Sequence, residues 1–432
     1  MSAKLYEGFR RLTGQSRGGG GGASCARWGG KAKGSYTRLV VLPVTAVQRA
    51  LQEDGLDGWL LYDFNGSNPI AARLSGLTSS GKMTTRRWYY LVPASGDPRG
   101  LVHAIERHNL DHLPGAKRPY AGREELASGL HELLRGMKRV AMEYSPGNAI
   151  PYVSRVDAGT LETVRECGVE VVSSGDLAQR FEAVWSDEAL ATHQRAADSL
   201  YRIKDQAFEL VRTRLSRGES LTEFDVQSAM MNWFEQEGLI SDATPNVSAQ
   251  ENAGNPHYHP SRDVHRAIKP GEMLLLDLWG KLPARGAVFA DITWVAFTGA
   301  RVPDEYARAF AAARDGRDAA IELVQSAVSA GREIRGFEVD RACRAVVDRA
   351  GYGRQFIHRT GHSLGETIHG NGVHMDDYET HDDRRLIPGT GFTIEPGVYT
   401  DSYGVRTEIN MFVGEHEARV TGPCQTEIVT LM

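Results

Sequence analysis

The chain has few cysteines and none of them paired: Cys25, Cys167, Cys343 and Cys424 lie far apart among 432 residues. A disulfide-stapled scaffold or a cysteine zinc site shows close, even-numbered spacing. Both are therefore excluded, and a reducing cytoplasm is the expected setting. No run of about 18 apolar residues occurs, which argues against a membrane span. The opening MSAKLYEGFRRLTGQSRGGGGG lacks the apolar centre of a secretory signal. Excess positive charge is missing from most of the chain. Residues 1–38 stand at +7, so the remainder of a chain whose net charge is −5 stands at −12. An acidic body argues against nucleic-acid binding. The basic, glycine-rich start has the composition of a tail that touches nucleic acid or acidic lipid, or of a disordered extension, a vector remnant or a misassigned start. The second group is favoured, because a glycine run buries too little surface to offset its ordering entropy.

What is present is an ordinary globular composition, 41% hydrophobic and 24% charged. At roughly 150 residues per domain the length allows two to three domains. From Val40 to Ser174, apolar runs at 58–62, 88–92, 140–142 and 169–172 read as strands, with a helix over 126–137. That alternation predicts an α/β domain over 40–174, ending in turn chemistry at Ser173–Asp176. Residues 175–432 change character. A long amphipathic helix is predicted over 187–217, capped by Ser186, and a second from Thr222, spaced with Asp225 as a capping box. Strands near 273–278 and 288–297 follow. Helices at 303–329 and 335–350 and strands at 391–399 and 405–413 then repeat the order helix, helix, strand, strand.

Each half of that repeat places two carboxylates in apolar strand surroundings. Asp277 and Asp291 are 14 residues apart, and Glu395 and Glu408 are 13 apart. Both spacings suit neighbouring antiparallel strands. A carboxylate in a buried strand is costly unless it is paired or binds a cation. One such acid is commonly a satisfied core residue, but four in symmetric positions call for a shared cause. Two divalent cations about 3.5–4 Å apart require several anionic oxygens and supply that cause. A histidine often joins such sites. His358, His362 and His369 lie in a glycine-punctuated stretch where Gly361 and Gly365 permit close backbone approach. Strand alternation over 405–413 puts Arg406, Glu408 and Asn410 on one face. Arg406 there either neutralises Glu408 or serves a site directly, and the two roles are compatible.

Asp277, Asp291-Ile292-Thr293, Gly361-His362-Ser363-Leu364-Gly365, Glu395-Pro396-Gly397 and Arg406-Thr407-Glu408 together resemble the pita-bread metallopeptidases: methionine aminopeptidase, aminopeptidase P and prolidase. The resemblance covers roughly residues 180–432. It implies an α+β protein, with an amino-terminal creatinase/prolidase-like domain followed by a pita-bread catalytic domain of pseudo-twofold repeat. It implies further that Asp277 binds one metal, that Asp291 and Glu408 bridge two, and that His362 and Glu395 complete the second. His257 matches a substrate-facing histidine, with His259 close enough to compete for that role, and His369 matches a second. Trp294 stands where many relatives have arginine, and the segment between Asp277 and Asp291 is longer than expected. These departures leave the substrate pocket and subfamily open.

The ligand chemistry, mostly hard oxygen with one imidazole, suits manganese, cobalt or zinc, with manganese expected. The implied activity is hydrolysis of the bond before proline in short peptides. Glu395 would accept the proton of the attacking water, and His257 and His369 would hold the substrate carbonyl. Arg406 would clamp the terminal carboxylate of a dipeptide, which favours prolidase over aminopeptidase P. The alternatives are aminopeptidase P acting on longer peptides, a metal-free creatinase-like hydrolase, and a non-catalytic peptide- or histone-binding module. Retention of all five ligand positions disfavours the last two. A homodimer is the expected assembly by resemblance.

Overall fold

The computed structural model describes residues 42–432, so the tail expected at 1–39 lies outside the described residues. Helix α1 (Val44–Glu53) leads into β1 (Gly58–Asp63), α2 (Pro69–Leu74), α3 (Leu77–Ser80), β2 (Trp88–Pro93), β3 (Arg99–His103) and β4 (Ala116–Tyr120). Then come α4 (Arg123–Leu133), β5 (Arg139–Met142), α5 (Ala158–Glu166), β6 (Glu170–Ser173) and α6 (Gly175–Glu182). The six strands make one mixed sheet in the order β4-β3-β2-β1-β5-β6. Every residue of β1 and β2 is buried, which explains why GWLLYD and WYYLVP read as apolar runs instead of alternating. Trp59, Leu61 and Tyr90 pack with the α1 and α2 side chains, while Leu60, Tyr62 and Leu91 pack with those of α4 and α5.

Two local expectations change. The helix read to Met137 ends at Leu133, close before Gly136 with its φ of 83°. A left-handed residue of this kind breaks helical continuation. The turn read at Ser173–Asp176 opens α6, whose Leu177 and Ala178 join the core on the sheet's α1 side. Strand β4 gave no sequence signal because AKRPY is an exposed edge strand without alternation.

The second part contains α7 (Asp187–Ser216), α8 (Glu223–Gln236), β7 (Asn246–Ala249), β8 (Met273–Gly280), β9 (Ala290–Phe297), α9 (Asp304–Ser329) and α10 (Gly336–Arg349). It continues with β10 (Ser363–Leu364), β11 (Gly391–Ile394), β12 (Gly397–Tyr399), β13 (Gly404–Arg406), β14 (Ile409–Val413), β15 (Ala418–Val420) and β16 (Val429–Thr430). The helix starts follow their caps. Ser186 Oγ accepts from Ala189 N at 3.1 Å. Thr222 Oγ1 accepts from Asp225 N at 3.1 Å while Asp225 Oδ2 accepts from Thr222 N at 2.9 Å. The repeat is fuller than predicted. Each half adds a short strand, so β7-β8-β9 and β10-β11-β14 are both antiparallel triplets following a helix pair.

The expected strands at 391–399 and 405–413 are each broken in two. Pro396 has no N–H to donate, and the neighbouring amides turn elsewhere. Glu395 N donates to Thr360 O at 2.7 Å, and Glu408 N donates to Thr293 O at 3.2 Å. Strands β11 and β14 pair on one side of the break, and β12 and β13 pair on the other. Glu395 and Glu408 therefore sit where the ladder opens.

The outer edge of β9 is closed largely by side chains. Asn410 accepts from Asp291 N at 3.0 Å and donates to Asp291 O at 2.8 Å. Gln425 does the same to Val295, at 3.0 and 2.6 Å, before β16 pairs in parallel with Ala296 and Phe297. These amides replace a neighbouring strand and join the two halves of the repeat. Among the described residues no helix is long and apolar enough to cross a membrane.

Gln425→Ala strands the buried N–H and C=O of Val295. It should lower stability by about 2–4 kcal/mol, read from the urea midpoint. Thr222→Ala, which removes one exposed cap, should cost about 1 kcal/mol. A Gln425→Ala effect no larger than that of Thr222→Ala would contradict the bridging role.

Candidate metal centre

Strand register explains how the first two acids meet. Asp277 lies opposite Thr293, and Trp279 opposite Asp291, on the antiparallel pair β8–β9. Directly opposed residues share a face, as do residues two apart. Asp277, Trp279, Asp291 and Thr293 therefore point the same way. The second half approaches that face from the opening between β11 and β12 (Glu395) and between β13 and β14 (Glu408).

His362 comes from the segment leading into β10. A Cβ at Gly361 would stand 2.0 Å from Thr393 O, so glycine is required for this segment to lie against β11. Thr393 then fixes His362 from both sides. Its Oγ1 accepts from His362 N at 3.0 Å, and its N donates to His362 O at 2.8 Å. Close contact is needed at Gly361 but not at Gly365, where the nearest atom to an added Cβ is 3.6 Å away.

Asp291, His362 and Glu408 each offer a ligating atom within 4.8 Å of the others, and all three are buried. Glu395 Oε1 and Asp291 Oδ2 each lie 3.5 Å from His362 Nε2. Asp277 stands slightly apart, tied to Arg406. The Arg406 guanidinium is taken up by protein groups: Nη2 pairs with Asp277 Oδ2, Nε donates to Thr293 Oγ1 at 2.9 Å, and Nη1 donates to Tyr399 OH at 3.1 Å. Thr293 Oγ1 in turn donates to Glu408 Oε2 at 2.7 Å. Arg406 therefore pairs with Asp277 and reaches Glu408 only through Thr293, unlike the direct neutralisation considered from the sequence.

Crowding of like charge in a dry site governs the electrostatics. Burial, followed by the nearby charges of Asp277 and Glu395, holds the Asp291 carboxyl well above the usual range. Burial, then Asp291 and Glu395, does the same to Glu408. Burial pushes His362 down, opposed by the charge of Glu395. His369, exposed overall, is lowered as well, by desolvation of its ring and then by the neighbouring His362, with the two rings 4.4 Å apart and edge to face. Both imidazoles are neutral at neutral pH, the form a metal ligand or hydrogen-bonding partner needs.

The eight residues given a metal or substrate role from the sequence (Asp277, Asp291, His362, Glu395, Glu408, His257, His369 and Arg406) line one cavity of about 660 Å³. His257 and its rival His259 are both on its exposed rim, and His259 meets Trp279 edge-on. His358 also lines it, but its nitrogens are committed to Arg359 O at 2.7 Å and Tyr399 OH at 2.8 Å. Sequence reasoning missed Arg359, Tyr152 and Glu379 on the same wall. Arg359 stood inside the histidine segment already singled out. Tyr152 carried no signal, since it arrives from the chain between β5 and α5.

The donor set fits a divalent cation. Asp291 Oδ1 and Glu408 Oε1 are buried and accept no hydrogen bond, a costly state that a cation relieves. Carboxylates around one imidazole, contributed by two half-sheets of a pita-bread fold, are the donor chemistry of a divalent-metal centre. The model of metallopeptidase family M24 matches residues 194–415, just over half of the chain. The chain belongs to that family.

Relatives agree. The Xaa-Pro dipeptidase of Lactobacillus helveticus is 29% identical over 214 residues, 49% of this chain and 51% of that protein. The probable dipeptidase PepE of Mycobacterium tuberculosis is 26% identical over 266 residues, 61% of this chain and 65% of that one. The alignments thus span about half to two thirds of the length of these curated relatives. The crystal structure of dipeptidase PepE from Mycobacterium ulcerans shares the fold, with a TM-score of 0.64 over 90% of this chain and 96% of that chain at 22% identity.

Adding Mn²⁺ at a hundred times its Kd to chelator-treated protein should stabilise it by about 2.7 kcal/mol, read as a rise in thermal midpoint. Asp291→Ala should abolish the rise. A parent protein whose midpoint ignores Mn²⁺, Co²⁺ and Zn²⁺ alike would contradict the assignment.

Proposed function

We propose that the protein is a peptidase that hydrolyses the Xaa-Pro bond of short peptides, Xaa-Pro dipeptides foremost. The observation that carries this reading is the convergence of Asp291, His362 and Glu408, from both halves of the repeat, on the floor of a peptide-sized cavity. Family membership and the Xaa-Pro dipeptidase among its relatives support it. Asp277, Asp291, His362, Glu395 and Glu408 would hold two divalent ions, with manganese expected ahead of cobalt or zinc. When bound, such a pair supplies a Lewis acid and a nucleophilic water at neutral pH.

The chain's own groups do the rest. Glu395, held by Thr393 Oγ1 at 3.2 Å, is the proton acceptor beside the cluster and passes the proton toward the leaving nitrogen. His369, and His257 from the rim, donate to the carbonyl oxygen as it gains charge. Arg406 is a positioning residue: it holds Asp277 and Thr293, and Thr293 holds Glu408. Because each of its nitrogens already bonds protein, this reading assigns the dipeptide clamp expected from the sequence to another residue. The bond before proline has no N–H on its leaving nitrogen, so its substrate is held by other contacts. In this reading residues 40–174 form an amino-terminal domain, residues 175–432 the catalytic domain, and two copies of the chain a homodimer.

Rates on Ala-Pro, Ala-Pro-Ala and Ala-Ala with Mn²⁺ test the proposal. Ala-Pro should be preferred, and Glu395→Gln should lower kcat by about 10²–10⁴-fold with little change in KM. Preference for Ala-Pro-Ala would move the reading to an aminopeptidase, and equal turnover of Ala-Ala would overturn it.

A further inference from the structure

Of the two guanidiniums on the cavity wall, Arg406 has all three nitrogens bonded to protein and Arg359 has one. Arg359 is only 7% exposed, yet among the described residues no carboxylate lies within ion-pair distance of it. Its side chain makes one hydrogen bond, Nη1 to Tyr152 OH at 2.7 Å, and its guanidinium lies 5.6 Å from the Tyr152 ring centroid. Glu379, an acid lining the same cavity, is used differently: its Oε1 accepts from the Arg359 backbone N at 3.0 Å. A guanidinium carries five N–H donors, and burying one without an anion is expensive. None of its remaining side-chain nitrogens is both sealed from solvent and unpartnered, so the free donors face the cavity.

We propose that Arg359, oriented by Tyr152, is the specificity-determining residue of this pocket and binds a carboxylate of the substrate. A fork of parallel N–H groups matches a carboxylate in two hydrogen bonds. Enclosure by the Tyr152 ring lowers the local dielectric and strengthens the pair. In a peptide two carboxylates are available: the terminal one of a dipeptide, and the side chain of an acidic residue before proline. The inference rests on the peptidase reading, and it moves the clamp from Arg406 to a residue whose donors are free. Tyr152 lies outside the catalytic half, so the first part of the chain helps choose the substrate of its own pocket.

Binding to chelator-treated protein isolates this contact from turnover. Calorimetric titrations with Ala-Pro, Ala-Pro-amide, Glu-Pro-amide and Gln-Pro-amide separate the two sources. The parent should prefer Ala-Pro over its amide, or Glu-Pro-amide over Gln-Pro-amide, by about tenfold or more. The pair that discriminates identifies the carboxylate. Arg359→Gln should bring that ratio close to one, Arg359→Lys should restore part of it, and Tyr152→Phe should reduce it without abolishing it. Unchanged thermal midpoints would show that the variants fold. No discrimination in the parent, no measurable binding of any of the four, or a ratio that survives in Arg359→Gln would overturn the assignment. Turnover of Ala-Pro by the Mn²⁺-loaded parent tests the peptidase reading separately, because it does not depend on which residue holds the carboxylate.

Discussion

Mutual repulsion among buried carboxylates is the constraint around which this molecule is built. Asp277 and Asp291 come from one hairpin, Glu395 and Glu408 from another more than a hundred residues further along the chain, and Asp291 and Glu408 are left with oxygens that accept nothing. Such a cluster persists only where rigid surroundings hold it and a cation neutralises it. The surroundings are visible in detail. Arg406 spans Asp277 and Thr293, Thr293 holds Glu408, and Asn410 locks the Asp291 backbone. Each of these bonds also joins one half of the repeat to the other, so the fold and the site share contacts.

The breaks in the last strands follow from this. A continuous β11–β14 ladder would spend the amides of Glu395 and Glu408 on each other's strands. Interrupting it at Pro396 and Thr407 sends those amides to Thr360 and Thr293 and aims both side chains into the cavity. Regular pairing is sacrificed at the positions where two acids must leave the sheet. Backbone irregularity near a site commonly has this purpose.

Much of this was readable beforehand because it rests on local chemistry. Ser186 and the Thr222–Asp225 box mark helix starts through hydrogen bonds made within four residues. The 14-residue spacing of Asp277 and Asp291 reflects one hairpin, and the glycine before His362 reflects one close approach. What could not be read depends on partners distant in sequence. Whether Arg406 meets Glu408 beside it or Asp277 across the sheet is decided by how the two halves dock. The short strands β7 and β10 have too few residues to show a period, and the arrival of Tyr152 at the cavity is a matter of tertiary placement alone. Arg359 was passed over because, in sequence, an arginine with an ion-pair partner looks the same as one without.

Two arginines with opposite accounts then divide the labour, one spent on holding acids and one left free for a ligand. The proposed hydrolysis requires that these acids hold two cations in common. Electron paramagnetic resonance of the protein loaded with Mn²⁺ reads this directly, since two ions bridged by common carboxylates at about 3.5–4 Å couple their spins. The expected result is two equivalents of bound manganese with an exchange-coupled spectrum that Glu408→Ala converts to isolated ions. A parent spectrum of isolated Mn²⁺ at saturation, or no tight binding, would contradict the shared centre.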